Sequence, residues 1–263
     1  MSPKSAFVVL VAIGASMMFL SGCQRKRKDL DYSYDVYQTF TVAELGEEEI
    51  VQFDSVFWEP DDTQSLREKI HAQGIADGRV VLEIGTGTGL LSLLALASGA
   101  NRVVATDINP AAVANANYNA AMLELEEGLD VRIVDPADPS AFSVIKPEER
   151  FDLILSNPPW EDGTIKSPAD HAFYDPGFAL MDSILQGLPT HLRSGGRCLL
   201  AYGHRPAITR LLAKAEEYGY QAKLLDDREL ESLPDDFLPG MVIEIRLPTK
   251  SRQGSGSKPN GVE

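Results

Sequence analysis

Asn157, Pro158, Pro159 and Trp160 follow a short apolar run from Phe151 to Leu155, and their types suit the binding of a planar NH2 group. Two successive prolines stiffen the segment and remove two backbone donors, so nearby carbonyls are free to accept. The Asn157 side-chain oxygen and the Pro158 carbonyl can each take one hydrogen of an amide or amine, while Trp160 offers a flat wall. Such a site aligns a nitrogen for in-line attack and needs no strong base. The same four residues would also make a rigid strand exit with the tryptophan in the core. A second group lies upstream: Glu83, then Gly85, Thr86, Gly87 and Gly89. Glycines in a strand-to-helix turn let a ligand approach backbone that a Cβ would block. Asp107, 20 residues past Gly87, can accept hydrogen bonds from both hydroxyls of a ribose. Asp135 closes another apolar run, VRIVD, on a Pro- and Asp-rich loop, where it is either a ligand contact or a turn residue.

These groups need strands to carry them. Val80, Val81, Leu82 and Ile84 predict a strand buried on both faces, and LLSLLALASG after the glycines has helical spacing. Further strands are expected at 102–107, 131–135 and 151–155, from Arg197 onward, and in KLLDD and MVIEIRL. Asn109 with Pro110 caps the helix after the second of these core strands, which frees Asp107 for the ribose. Residues 161–178 are long enough for a lid, and Asp175-Pro176-Gly177 turns into a helix ending near Leu192. Another helix is expected over 206–218, and Cys198 reads as a buried thiol. Strands alternating with helices predict an α/β fold with a mostly parallel sheet. Ahead of it, residues 29–55 are acidic with interleaved aromatics and predict a strand or two. A helix from Ser65 follows, with Thr63 or Ser65 as cap and Glu68 completing a capping box.

Composition removes several function classes. The net charge is −15, and residues 1–28 hold five basic and no acidic groups, so the remainder carries 19 basic against 39 acidic. A body of that sign repels a phosphate backbone and disfavours nucleic acid. Two cysteines and four scattered histidines offer no disulfide framework and no metal-ligand spacing. The position where a dinucleotide fingerprint wants its third glycine is Leu90.

The N-terminus points toward a membrane. Residues 6–20 are continuously apolar or small, and LSGC ends at Cys23; the pattern resembles a bacterial lipoprotein signal, which implies lipidation of Cys23. The four basic residues from Arg25 to Lys28 hold the C-terminal side in the cytoplasm by the positive-inside tendency. The expectation is a membrane-associated protein anchored through residues 1–28 with its body facing the cytoplasm, against an exported lipoprotein or a start that lies further in.

The pattern Glu83-x-Gly85-x-Gly87-x-Gly89 resembles the first motif of the class I S-adenosylmethionine-dependent methyltransferases. Asn157-Pro158-Pro159 followed by an aromatic is similar to the motif of those acting on amide or exocyclic amine nitrogen. Val56-x-x-Glu59-Pro60-x-Asp62-Thr63 and Asp107-x-Asn109-Pro110-x-Ala112-Val113 resemble the HemK-like protein-glutamine methyltransferases. The resemblance covers about residues 56–247. It implies a Rossmann-like sheet of seven strands with the last antiparallel, and S-adenosylmethionine as cofactor. The cofactor would be held by Thr63, Glu83, Gly85, Thr86, Gly87, Gly89, Asp107, Asp135 and Asn157, and the catalytic loop would be Asn157, Pro158, Pro159 and Trp160. Trp160 departs from the usual Tyr or Phe, and residues 29–55 are too short for the helical domain with which bacterial members grip release factors. The expected layout is a targeting segment 1–28, a lead-in 29–64, a methyltransferase domain 65–247 and a disordered tail 248–263. The expected activity is N-methylation of a protein. Ribosomal RNA or a small amine is the runner-up acceptor, and a non-catalytic cofactor-binding module or an NAD-dependent oxidoreductase is the reading outside the class.

Overall fold

The computed structural model describes residues 26–58, 60–234 and 237–248. It opens with a hairpin, β1 (Val36–Val42) and β2 (Glu48–Phe53), paired antiparallel as a separate two-stranded sheet. The helix α1 (Pro60–His71) then leads into β3 (Val80–Ile84), α2 (Leu90–Ala97), β4 (Arg102–Asp107), α3 (Pro110–Met122) and β5 (Leu129–Ile133). The second half runs β6 (Phe151–Ser156), α4 (Ala179–His191), β7 (Leu192–Tyr202), α5 (Arg205–Glu217), β8 (Gln221–Leu224) and β9 (Met241–Arg246). The main sheet has the order β5-β4-β3-β6-β7-β9-β8. All of its neighbours pair in parallel except β9, which runs antiparallel to both β7 and β8. This is the expected Rossmann-like α/β sheet of seven strands.

The apolar strands of the sequence are buried because helices cover both faces. One face packs Val81, Leu153, Leu155, Leu199 and Val242 against Leu66 and Ile70 of α1 and Leu91 and Leu94 of α2. The other packs Leu82, Ile154, Cys198, Leu200 and Ile243 against Ile184, Leu185 and Leu188 of α4 and Ile208 and Leu211 of α5. Cys198 is the expected buried thiol, and burial pushes its pKa up. The chain order reverses between β3 and β6, which opens a crevice at their C-terminal ends, where sheets of this kind bind ligands.

The lead-in hairpin is fixed to this crevice by two asparagines one helical turn apart on α3. Asn115 accepts from the Phe53 N–H at 2.8 Å and donates to the Val51 carbonyl at 2.9 Å. Asn119 accepts from the Val51 N–H at 2.8 Å and donates to the carbonyls of Val51 and Thr88. Both are fully buried, so β2 finds on a helix the backbone partners that a buried strand edge requires. Through Thr88 the same asparagine also holds the glycine turn.

Three expectations change. The helix expected from Ser65 begins at Pro60, because proline suits the first helical position and Asp61 and Asp62 favour the positive end of the helix. Ser65 is therefore inside α1 and Thr63 is in its first turn, bonded to the Pro60 carbonyl at 3.4 Å. The strand expected to end at Asp135 stops at Ile133.

Attachment to a membrane through residues 1–28 is the third correction. Among the described residues no helix is long and apolar enough to cross a membrane. The longest run 13 residues, roughly 20 Å against a hydrocarbon core of about 30 Å. Two residues of the basic flank make contacts within the chain. Arg27 folds back onto the body, 2.6 Å from Asp29 and 2.6 Å from Glu126, and Lys26 lies over the Tyr32 ring. The expectation of a membrane-associated protein with a lipoprotein-like signal, a membrane partner and its body on one side of a bilayer is corrected accordingly. Residues 1–25, with the apolar run and Cys23, and residues 249–263 of the expected tail lie outside the described residues.

Candidate active site

The turn after β3 is built by glycines that an L side chain could not replace without strain. Gly85, Gly87 and Gly89 have φ of 76°, 55° and 86°, in the left-handed region that favours glycine. The Gly85 and Thr86 N–H groups both donate to the Thr106 carbonyl, at 2.8 and 3.0 Å, which ties the turn to the end of β4. A Cβ on Gly85 would meet nothing within 4 Å, and one on Gly87 would meet only the Phe57 carbonyl at 3.7 Å. That space belongs to a ligand-sized hollow and not to a packed core. Gly89 faces the other way, where a Cβ would lie 3.1 Å from Ala116 of α3.

Two carboxylates flank the turn. Glu83 is 2% exposed. Its carboxylate accepts from the Thr86 hydroxyl at 2.7 Å and from the Ser92 hydroxyl, but burial still pushes its pKa up to about 7. Asp107 accepts from the Gly87 N–H at 2.9 Å and the Asn109 N–H at 2.8 Å. Its pKa is also raised by burial, against these backbone donors. Asn109 caps α3 through the Ala111 N–H, as expected, and its amide reaches back to the Ser55 carbonyl at 2.8 Å.

The Asn157 loop leaves β6 beside this turn. Ser156 is bonded to the Ile84 carbonyl at 2.6 Å, which couples the two strand ends. The Oδ1 atom of Asn157 is buried with no hydrogen-bond partner among the described residues. Such a group costs ~1–3 kcal/mol while it stays unpaired, and the residue that carries it is one of those lining a cavity. Trp160 points elsewhere. Its indole N–H donates to the Ala201 carbonyl at 3.1 Å, and its carbonyl lies 3.2 Å from the His204 Nδ1. Its ring stacks on Phe237 at 6.2 Å and fills the space beside Gly203, where a Cβ would come within 2.5 Å of it.

One cavity of about 420 Å³ joins these groups, within the usual size of small-molecule sites. Thr63, Glu83, Gly85, Thr86, Gly87, Asp107, Asn157, Pro158 and Pro159 line it, whereas Gly89, Asp135 and Trp160 do not. Asp135 lies two residues beyond β5, exposed, and accepts from the Ala137 N–H at 2.8 Å in a turn. Nearby, Val134, Asp138 and Ser140 take lining positions instead.

The lining also contains residues that spacing alone did not single out. Phe57 and Trp58 come from the lead-in, with Trp58 stacked on Phe40 of the hairpin at 4.0 Å. His171 and Tyr174 come from the 161–178 loop, and burial holds the His171 imidazole below its ordinary pKa. That loop is fastened at its far end by Asp175, which is 3% exposed and accepts from the N–H groups of Leu180 and Met181 at the start of α4. The signals for these residues were the aromatic content of VFW and AFY and the lid-length loop over 161–178. Among the described residues no cluster of His, Cys, Asp or Glu could hold a metal ion.

The family profile described as methyltransferase small domain matches residues 60–218. A release factor glutamine methyltransferase of Cereibacter sphaeroides is 38% identical over 154 residues, 54% of this chain and 52% of the relative. The chain thus spans about half the length of that curated relative. A Methanocaldococcus jannaschii protein named for protein N5-glutamine methylation is 30% identical over 150 residues, 55% of this chain and 72% of the relative. Among solved structures, the ribosomal protein L11 methylase of Lactobacillus delbrueckii subsp. bulgaricus shares the fold. It has a TM-score of 0.50 and 20% identity, covering 70% of this chain and 78% of the other.

Proposed function

Because the chain belongs to the methyltransferase small domain family, in the HemK-like group of class I S-adenosylmethionine-dependent methyltransferases, we propose that it methylates the nitrogen of a planar amide, a glutamine side chain of a protein. The observation that carries this reading is Asn157 Oδ1, buried, unpartnered and set beside two prolines on the cavity that the glycine turn also lines.

S-adenosylmethionine, when bound, supplies a methyl group already activated on a sulfonium. The residues suited to hold it are those of the glycine turn, with the Asp107 carboxylate for the ribose hydroxyls and Glu83 and Thr63 toward the methionine end. Their fit rests on the open space above Gly85 and on the two carboxylates that line the same cavity. The protein's own part is then alignment. Asn157 Oδ1 accepts one amide hydrogen and the Pro158 carbonyl the other, which fixes the plane of the NH2 group and aims its nitrogen. The N–C bond would form as the methyl–sulfur bond breaks, and one of the two held hydrogens would leave as a proton to bulk water. Pro158 and Pro159 keep those acceptors from turning away, and the 161–178 loop excludes water. Well-oriented reactants gain roughly 7–11 kcal/mol of the barrier from such placement.

A protein acceptor is favoured by the acidic body, which repels a phosphate backbone, and by the likeness to relatives named for glutamine methylation. The test is to incubate the full chain with S-adenosylmethionine and a purified bacterial release factor, and to read glutamine methylation by peptide mass spectrometry. Calorimetry with S-adenosylmethionine and, separately, NAD runs beside it. Saturable binding of the methyl donor alone and one added methyl on a glutamine are expected. Binding of NAD, or a folded protein that ignores the methyl donor, would overturn the reading.

A further inference from the structure

The aromatic of the Asn157 loop is not on the cavity, yet a planar group held by its edge needs a face to lie against. Trp160 is committed three times over: its N–H to the Ala201 carbonyl, its carbonyl to His204, and its ring to Phe237 and the gap at Gly203. Turning the indole to the cavity would forfeit the Ala201 bond and the packing on Phe237 and Gly203 at once. Among the cavity's own aromatics, Phe57 sits by the glycine turn, where its carbonyl is the nearest atom to a Cβ on Gly87, and Trp58 is stacked on Phe40.

Tyr174 is placed differently. Its backbone bridges to Glu161, the residue after Trp160, and the next N–H, of Asp175, donates to the Glu161 carbonyl at 2.7 Å. The ring packs over Gly163, where a Cβ would come within 2.3 Å of it. Glycine there is what lets the ring lie down beside the loop. Tyr174 lines the cavity together with Asn157, Pro158 and Pro159. The neighbouring Phe173 ring lies 6.4 Å from that of Tyr174 and edge-on to Phe57 at 5.5 Å.

Resting on the amide reading above, we propose that Tyr174 is the aromatic face against which the acceptor amide lies, and that Trp160 is a positioning residue that fixes the Asn157 loop. The acceptor's planar group is sandwiched from a loop that follows the motif, and the motif's own aromatic serves as an anchor. This explains how tryptophan is tolerated where the family usually has a smaller ring: it is accommodated by Gly203, not by the substrate.

The experiment is steady-state kinetics of the full-length protein on a purified release factor, with cofactor affinity measured by calorimetry. Tyr174→Leu should raise the acceptor KM about tenfold while the cofactor Kd stays within about twofold, and Tyr174→Phe, which keeps the ring, should recover most of that loss. Trp160→Phe should lower kcat and the unfolding temperature and leave the acceptor KM in place. An unchanged KM in Tyr174→Leu, or a raised KM in Trp160→Phe, would overturn the assignment. A wild-type protein that binds the cofactor but methylates no glutamine would instead sink the amide reading, and this inference with it.

Discussion

The two ends of the cavity are built on opposite plans. At the glycine end both carboxylates are held from within the chain: Glu83 by Thr86 and Ser92, Asp107 by Gly87 and Asn109. At the Asn157 end the key acceptor has no partner among the described residues, in a loop stiffened by two prolines and anchored by Trp160. A ligand at the first end meets a preformed cradle whose shape does not depend on its arrival. A ligand at the second end completes a site that is unsatisfied without it. Catalysis gains only from contacts made better in the transition state than before it, which is why the proposed function sets the reacting nitrogen against the unpartnered acceptor.

The contrast is sharpest under Asn157→Ala. Removing the open acceptor should cut kcat on the protein acceptor by ~10²–10³-fold, the loss typical of a deleted polar group at a reacting centre. Cofactor affinity by calorimetry should stay within about threefold. A parallel loss of both would mean that the two ends are not separable.

Glu83 tests the other end through stability. A carboxyl whose folded pKa is about 7, against an unfolded value near 4.3, binds more protons folded than unfolded between those values. Stability is then highest below the unfolded pKa and falls as pH rises toward 7, by on the order of 3 kcal/mol. Glu83→Gln should flatten that fall and raise the melting temperature at pH 8. It should also weaken cofactor binding if the ionised carboxylate faces the methionine end. An unchanged pH profile of melting would show that the carboxyl titrates normally.

Gly85→Ala asks for less. A side chain at φ 76° costs roughly 1–2 kcal/mol, and because the added Cβ points into open space the cost should fall on cofactor affinity as well as on melting. Wild-type affinity in a folded Gly85→Ala protein would show that the hollow above this glycine is not used.

The glycine end was also the more legible one in the sequence. Strands buried on both faces leave apolar runs, and Val80–Ile84 and Arg102–Asp107 fall where those runs stand. The Asn109 cap could be read in the same local way, whereas the antiparallel direction of β9 came from the family resemblance. What failed depended on distant partners. Trp160 is drawn from the cavity by Gly203 and Phe237, far along the chain, and no local pattern records that. The start of α1 was hidden because Pro60-Asp61-Asp62 reads equally as a loop. The repeated asparagines of α3 were visible only as a pattern, and their task of holding β2 needs the fold. The apolar N-terminal run suggested a membrane, yet Arg27 in its basic flank turns onto Glu126.

Asp135 gives the smallest effect and the finest test of where the preformed end stops. The family resemblance implies that its carboxylate accepts from the adenine amine. With β5 ending at Ile133, however, its carboxylate serves the Ala137 N–H in an exposed turn while Asp138 and Ser140 line the cavity. Asp135→Ala removes one exposed turn bond, a loss of about 1 kcal/mol or less of stability, and should leave cofactor affinity within about twofold. Ser140→Leu, which adds bulk on the lining, should weaken it more. If Asp135→Ala were the more damaging of the two, the turn would have to rearrange on binding so that its carboxylate swings inward. The glycine end would then share with the Asn157 end the property of being finished by its ligand.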